Sequence, residues 1–314
     1  MRTFSYSLAG GGIRPSPEFA KKGLAQFAVN VGLRCGHDCT YCSSRAMLRC
    51  HTAFKCVGRK AFATGYSIVD PDIVEKVARD AKRLRRRGLV QICTTVDAWA
   101  PEAQELHLGR RCLEAILAEP GWTVRILTKN AAVAEEFDMI KKHKDRVLMG
   151  LSLTGTPDKE EVLRVVEPYA SSIPDRMTAL TKAHRLGLRT YGMLCPLLPG
   201  IADAPEQIDE LVRFVKGCGA EEVFSEAVNA RGNSLTLTEQ VLRENGFLAE
   251  AEAISTIRKR TAWSSYAVNL VRNVQAAMRK HMTTEALRIL FYPSGLAQQD
   301  EQTIRRDDAG VVWL

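Results

Sequence analysis

The stretch Cys35-Gly36-His37-Asp38-Cys39-Thr40-Tyr41-Cys42 follows an apolar run at 26–32 and sets three thiols on one short loop at Cys-x3-Cys-x2-Cys spacing. Thiolates are soft ligands, suited to iron–sulfur clusters or to zinc. Three of them in so short a loop can hold three irons of a cubane and leave the fourth open to a substrate or cofactor. A structural zinc would want a fourth protein ligand, and His37, Cys50 or Cys56 could supply one. Gly36 and Asp38 make the loop polar, which argues against a purely packed trio of thiols. The chain has nine cysteines in 314 residues. The start is expected to carry no signal peptide, and an odd and crowded set then points to metal binding in a reducing compartment rather than to disulfides.

Outward from this loop a pattern repeats: an apolar run, a polar or glycine-rich turn, then an amphipathic stretch. Strands are expected at 26–32, 89–94, 123–128, 147–153, 188–194 and 221–225. Helices are expected at 72–87, 102–118, 131–143, 175–186 and 204–217. Asp70-Pro71 suits a cap and first turn, and Gly88, Gly187 and Gly219 stand where helices should stop. Six strands alternating with helices imply parallel strands and right-handed crossovers, in either a doubly wound sheet or an open barrel. Residues 1–25 read as an irregular lead-in, 26–230 as the α/β unit, and 231–314 as a helix-rich extension with one further strand at 286–292 and a tail.

The cysteine spacing, with the aromatic Tyr41 directly before the third cysteine and a strand ahead of the loop, resembles the radical S-adenosylmethionine (radical SAM) superfamily. That resemblance implies a partial (βα)6 barrel and a [4Fe–4S] cluster held by Cys35, Cys39 and Cys42. It implies that the open iron chelates S-adenosylmethionine, and that reduction yields a 5′-deoxyadenosyl radical that takes hydrogen from a substrate. It also implies an electron donor such as flavodoxin or ferredoxin. Tyr41 matches the aromatic that packs near the adenine; the plain alternative is a packing aromatic.

Further stretches resemble the spore photoproduct lyase and "DNA repair photolyase-like" branch. Thr94-Thr95-Val96-Asp97-Ala98-Trp99-Ala100-Pro101-Glu102 is similar to its Thr-Asp-x-Tyr-x-Pro-x-Glu segment, and Leu127-Thr128-Lys129-Asn130 to its Thr-Lys-Ser/Asn. Glu167-Pro168, Asp175-Arg176 and Gly187 follow its Glu-Pro-…-Arg-…-Gly run, and Cys195-Pro196-Leu197-Leu198-Pro199-Gly200 its Pro-x-x-Pro-Gly. The matches are collinear from Val29 to Asp203. Ala98-Trp99 departs from the usual Pro-Tyr, the superfamily's Gly-Gly-Glu is absent, and 42–65 is unusually rich in cysteine and basic residues.

In a parallel barrel, chemistry gathers at the carboxyl ends of the strands. Those ends supply the cysteines, then Thr94, Thr95 and Asp97, then Thr128 and Lys129, Ser152 and Thr154, Cys195, and last Glu226 and Asn229. Lys129 is placed by the resemblance against the carboxylate of S-adenosylmethionine. Thr95, Ser152 and Thr154 are expected to hydrogen-bond the cofactor or to cap strand ends. Asp97 is expected to accept from the cofactor or to cap the following helix. Arg176 is expected to cap structure or to pair with Glu167. The resemblance makes Cys93 a candidate hydrogen-atom donor to a product radical, with Cys195 competing and a buried structural thiol as the alternative. Cys112 and Cys218 read as core.

The formal charge is +8, and 25% of residues are charged, which suits a nucleic-acid substrate and equally a moderately basic enzyme. Arg45, Arg49, His51, Lys55, Arg59 and Lys60 follow the cysteine loop, and Arg231, 258–260 and 279–281 are expected to extend one basic surface. Lys82–Arg87 lies at the other end of the barrel. No apolar run is long enough to cross a bilayer, so a cytoplasmic protein without membrane partners is expected. Three readings follow: a radical SAM enzyme on a nucleic-acid base, such an enzyme on a peptide or small metabolite, or a non-enzymatic zinc-binding nucleic-acid module.

Overall fold

A computed structural model describes residues 1–229 and 232–314. Ala230 and Arg231 lie outside the described residues, and with them the boundary expected at 231 and the contribution of Arg231 to a basic surface. Among the described residues the strands are β1 (Arg2–Ser5), β2 (Arg14–Pro15), β3 (Phe27–Val29), β4 (Gly32–Arg34), β5 (Tyr66–Val69), β6 (Leu89–Ile92), β7 (Thr123–Thr128), β8 (Val147–Leu151), β9 (Arg189–Leu197), β10 (Ala220–Ala227), β11 (Leu287–Phe291) and β12 (Val311–Trp313).

The large sheet runs β12-β11-β10-β9-β8-β7-β6-β3-β2. Every pairing from β3 to β12 is parallel, and β2 joins antiparallel at the edge. The sheet does not close: β2 and β12 stand at its two ends. The fold is thus α/β with an open, barrel-like parallel sheet, and all six expected strands take part. The extension is helix-rich, and it also carries the sheet onward, because β11 pairs with β10 and β12 with β11.

The strands read as continuous apolar runs because helices cover one side and a second core fills the other. Val147-Leu148-Met149-Gly150-Leu151 is buried throughout. Leu148, Tyr191, Met193, Phe224 and Leu290, from four neighbouring strands, form one cluster; the helix-facing residues form a much larger one. The helix Ile73–Arg83 buries Ile73, Val77 and Ala81, a spacing of four that makes one stripe. It begins two residues later than Asp70-Pro71 suggests: Asp70 turns back to accept from the Asp72 N–H at 3.1 Å. Gly187 and Gly219 take φ of +71° after their helices, the left-handed stop expected of them.

Residues 1–25 are more ordered than a lead-in. β1 adds in parallel to β5, which pairs antiparallel with β4, making a small sheet beside the cysteine loop.

Candidate active site

The loop Cys35–Cys42 leaves β4 and packs on the carboxyl ends of the parallel strands. A cavity of about 240 Å³ opens there, lined by all three cysteines and by Tyr41, Cys93, Thr95, Asp97, Lys129, Ser152 and Cys195. Ten of the eleven residues expected to bind the cluster or the cofactor or to donate hydrogen therefore meet around one space. The eleventh, Thr154, does not line it. Thr154 is fully buried, and its hydroxyl accepts from Arg176 Nη1 at 3.4 Å, so the cofactor contact expected of it is corrected to a packing role.

Asp97 is filled by the protein itself. Its Oδ1 accepts from the Thr128 hydroxyl at 2.8 Å and the Trp99 N–H at 2.9 Å, and its Oδ2 from the Lys129 N–H at 2.8 Å. His37 Nε2 lies 2.9 Å from the same Oδ2, and His37 Nδ1 lies 3.0 Å from the Tyr169 carbonyl. Burial would raise this carboxyl, but the His37 ring and these donors hold it below the usual range. Asp97 thus ties the cysteine loop to the ends of β6 and β7, and His37 is its partner rather than a ligand beside the thiols.

Glu167 organises the opposite wall. It is buried, and it pairs with Arg176, with the Tyr41 hydroxyl and, at 3.2 Å, with the Lys129 ammonium. Burial would raise its carboxyl, yet Arg176 and Lys129 hold it well below the ordinary range. The expected Arg176–Glu167 pair is therefore present. Lys129 Nζ also donates to Ser152 Oγ at 2.7 Å, and Ser152 Oγ donates to the Cys195 carbonyl at 2.5 Å. The ammonium sits 5.7 Å from the Tyr41 ring centre. Two cations share one buried carboxylate, and the one that reaches the cavity is Lys129, with its side chain 16% exposed.

One residue here, Asn30, had no sequence signal strong enough to single it out, and two others, Glu102 and Glu226, were visible as residues but not in their roles. Asn30, just after β3, accepts the Thr94 and Thr95 N–H groups at 2.8 and 2.9 Å, and the Thr95 hydroxyl at 3.1 Å. It couples the first two strand ends and engages Thr95 before any ligand does. A lone polar residue between Val29 and Val31 was the available hint. Glu102, buried under the loop, accepts the Gly36 N–H at 3.0 Å through either oxygen; a Cβ on Gly36 would lie 2.3 Å from it. Burial lifts the Glu102 carboxyl to about 7. Glu226 faces Cys195, whose Sγ donates to it at 3.4 Å.

Burial, with Cys42, Glu102 and Cys39 beside it, pushes the Cys35 thiol well up, and burial lifts Cys39 to about 12. Buried neighbouring thiols resist ionising until a metal centre supplies compensating charge. Among the described residues no set of three or more His, Cys, Asp and Glu closes on a single metal-ion position. The donor set fits a cluster: three thiols from one loop, all on the cavity wall, with an orphaned guanidinium nitrogen of Arg45 buried behind them. Cys93 and Cys195 are likewise pushed up by burial, Cys195 also by Glu226. Cys50 and Cys56 are exposed, and Cys112 and Cys218 buried.

The model of the radical SAM superfamily matches residues 29–215. Among curated proteins the chain is 24% identical over 222 residues to uncharacterized protein ORF301 of Acidianus two-tailed virus, covering 69% of this chain and 72% of that protein. It is 24% identical over 190 residues to uncharacterized protein MJ0683 of Methanocaldococcus jannaschii, covering 60% and 67%. Among solved structures, a cysteine-to-serine mutant of spore photoproduct lyase superposes with a TM-score of 0.61 at 17% identity, over 89% of this chain and 79% of that one. Spore photoproduct lyase complexed with dinucleoside spore photoproduct superposes with a TM-score of 0.57 at 15% identity, over the same shares. At these identities the likeness to the lyase is one of fold.

Proposed function

This chain belongs to the radical SAM superfamily, and from that premise we propose that its cavity binds S-adenosylmethionine beside a [4Fe–4S] cluster held by Cys35, Cys39 and Cys42, and directs the radical chemistry at a nucleic-acid base. An enzyme of this type takes an electron from a reductant; flavodoxin or ferredoxin would serve. When held by these cysteines, the cluster would supply the electron for reductive cleavage of S-adenosylmethionine.

The chain's own residues divide the remaining work. Lys129 offers a cation to the cofactor's carboxylate, and Glu167 and Ser152 hold that cation in place. Tyr41 presents its ring along the cavity wall while its hydroxyl is fixed by Glu167. Thr95 and Asp97 act as positioning residues, since their polar atoms are committed to Asn30 and to His37, Thr128 and two backbone N–H groups. Cys93 is buried at the cavity wall and Cys195 is partly exposed there. Each can hand a hydrogen atom to a substrate radical, since a thiol S–H bond is weak.

The observation that carries the reading is the convergence of the three cysteines with Lys129 on one cavity at the strand ends. The nucleic-acid part rests on less: the +8 charge, and exposed Arg49, Lys55, Arg59 and Lys60 directly after the loop. Arg45, expected among them, is buried and paired with Asp38, so it leaves that surface. No helix among the described residues is long and apolar enough to cross a membrane.

The test is anaerobic reconstitution with iron and sulfide, reduction in the presence of S-adenosylmethionine, and assay for 5′-deoxyadenosine, beside a Cys35→Ala/Cys39→Ala/Cys42→Ala control. Deoxyadenosine from the wild type alone supports the reading. A colourless, zinc-loaded protein that leaves S-adenosylmethionine intact overturns it.

A further inference from the structure

Across the cysteine loop from the main cavity, sharing Cys35, Cys39, Cys42 and Thr95 with it, lies a second and smaller space. It has room for roughly one water molecule, about 30 Å³, and it is lined by Cys35, Cys39 and Cys42 together with Arg34, Asp38 and Arg45. Arg34 and Arg45 both pair with Asp38, Arg45 through Nη2 at 2.7 Å. All three side chains are at least nineteen-twentieths buried, at 5%, 4% and 3% exposure for Arg34, Asp38 and Arg45.

The two guanidiniums are not equivalent. Arg34 is fully engaged: besides Asp38, it donates to the carbonyls of Tyr66 at 2.9 Å, Ala61 at 2.9 Å and Ala63 at 2.6 Å. It pins 61–66 against the loop. Arg45 Nη2 is satisfied by the Asp38 carboxylate and by the Asp38 carbonyl at 3.0 Å, but its Nη1 is buried with no partner. The Asp38 Oδ2 is taken by the Gly65 N–H at 2.8 Å. Two buried cations therefore face one carboxylate, and one of them, Arg45, keeps an unspent buried donor while lining the same small space as the three thiols. Isolated buried charge and orphaned donors are both costly, so this arrangement asks for an anion that accepts hydrogen bonds.

We infer that Arg45 supplies that contact to the iron–sulfur cluster: its Nη1 donates to a cluster or cysteine sulfur, and its surplus charge favours the reduced state. The inference rests on the proposed cluster site. Three thiolates outweigh the positive core, so the assembly is anionic, and the electron delivered by the external reductant makes it more so. A fixed cation and an N–H···S hydrogen bond stabilise the more negative form, which raises the reduction potential.

The primary measurement uses the wild-type holoprotein carrying 15N-labelled arginine. In the reduced cluster, pulsed electron paramagnetic resonance should show a 15N coupling from an arginine side chain, and Arg45→Lys should abolish it. An iron-replete, reduced protein with no arginine coupling overturns the inference and leaves a water molecule on Nη1. The second measurement is the midpoint potential of Arg45→Leu and Arg45→Lys, at iron and sulfide contents matched to the wild type. Arg45→Leu should show at least a tenfold fall in the ratio of reduced to oxidised cluster at a fixed potential, about 59 mV for a one-electron couple; Arg45→Lys, which keeps the charge, should fall less. An unchanged midpoint in Arg45→Leu overturns it as well. If Arg45→Leu does not fold, the labelled wild type still decides. Failure to bind any cluster would sink the proposed function, whereas a normal cluster blind to Arg45 would sink only this inference.

Discussion

Two charge clusters flank the cysteine loop, and they have the same composition: one buried carboxylate shared by two cations. In the Glu167 cluster the surplus cation, Lys129, reaches the main cavity. In the Asp38 cluster the surplus cation, Arg45, is sealed beside the thiols. A surplus charge left partly wet can exchange its partners for those of an incoming ligand. A sealed one can answer only to something permanently resident. The same local bookkeeping thus serves a transient guest on one side of the loop and a fixed one on the other.

The largest effect should come from breaking the Glu167 cluster. Glu167→Ala strands the fully buried Arg176, and uncompensated buried charge costs about 3–5 kcal/mol; denaturant unfolding should show a loss of that size. The pH response follows from the sign of the shift. A carboxyl held below its ordinary value contributes stability that is present above about pH 4.5 and lost as the pH falls below it. Wild type should therefore lose stability steeply under acid, and Glu167→Gln should flatten that limb. An unchanged acid limb would show that Arg176 finds other partners.

Glu102 behaves in the opposite sense and in another window. Its carboxyl is raised by burial to about 7, so the folded protein holds a proton that the unfolded chain releases. That contribution is complete below about pH 4.5 and is lost as the pH rises through 7. The apoprotein should lose on the order of 3 kcal/mol across that interval, and Glu102→Gln should remove most of the slope. Stability equally steep in Glu102→Gln would place the titrating group elsewhere.

Lys129→Met tests the wet surplus charge directly. Arg176 still compensates Glu167, so folding should survive, while affinity of the reconstituted protein for S-adenosylmethionine should drop roughly ten- to a hundredfold. Equilibrium dialysis measures it. Unchanged affinity would break the contrast between the two clusters, since Lys129 would then be as closed to ligands as Arg45 is.

The sequence made the sheet legible where strands are long and buried on both sides. The expected strand at 123–128 matches β7 to the residue, and the other five are displaced by a few residues at most. β1, β4 and β5 escaped because three or four residues carry too short a period to read, and they pair only through partners distant in sequence. The helix expected at 102–118 breaks in two at His107, which takes a left-handed φ of +51°. Nothing in the identity of a histidine announces that. The site was legible in its residue types and less so in its roles. Asp97, Thr95 and Thr154 are polar at the right strand ends, but a hydroxyl or carboxylate looks alike in sequence whether it faces a ligand or a neighbouring N–H. Arg45 shows the same limit: its charge is visible, its inward direction is not.

Two basic runs offer the finest comparison. Arg49, Lys55, Arg59 and Lys60 are exposed, with no Asp or Glu anywhere between Ser43 and Val69. Their segment follows the cysteine loop directly, and its Phe54 and Ala61 line the small space beside the thiols. Lys82, Arg83, Arg85 and Arg86 are also exposed, but they end or directly follow the helix Ile73–Arg83 that leads into the amino end of β6, opposite the cavity. If nucleic acid is drawn to the cavity, only the first run should meet phosphates. Each contact removed lowers the log–log slope of binding against salt by about 0.9 on duplex DNA, so Arg49→Ala/Lys55→Ala should shift it by up to roughly twice that. Arg85→Ala/Arg86→Ala should leave it in place. Surface changes of this kind should leave stability within about 0.5 kcal/mol, so folding does not confuse the readout. Equal slopes for the two pairs would mean that nucleic acid meets only the diffuse charge of the whole molecule, and the substrate would then be sought among peptides or small metabolites.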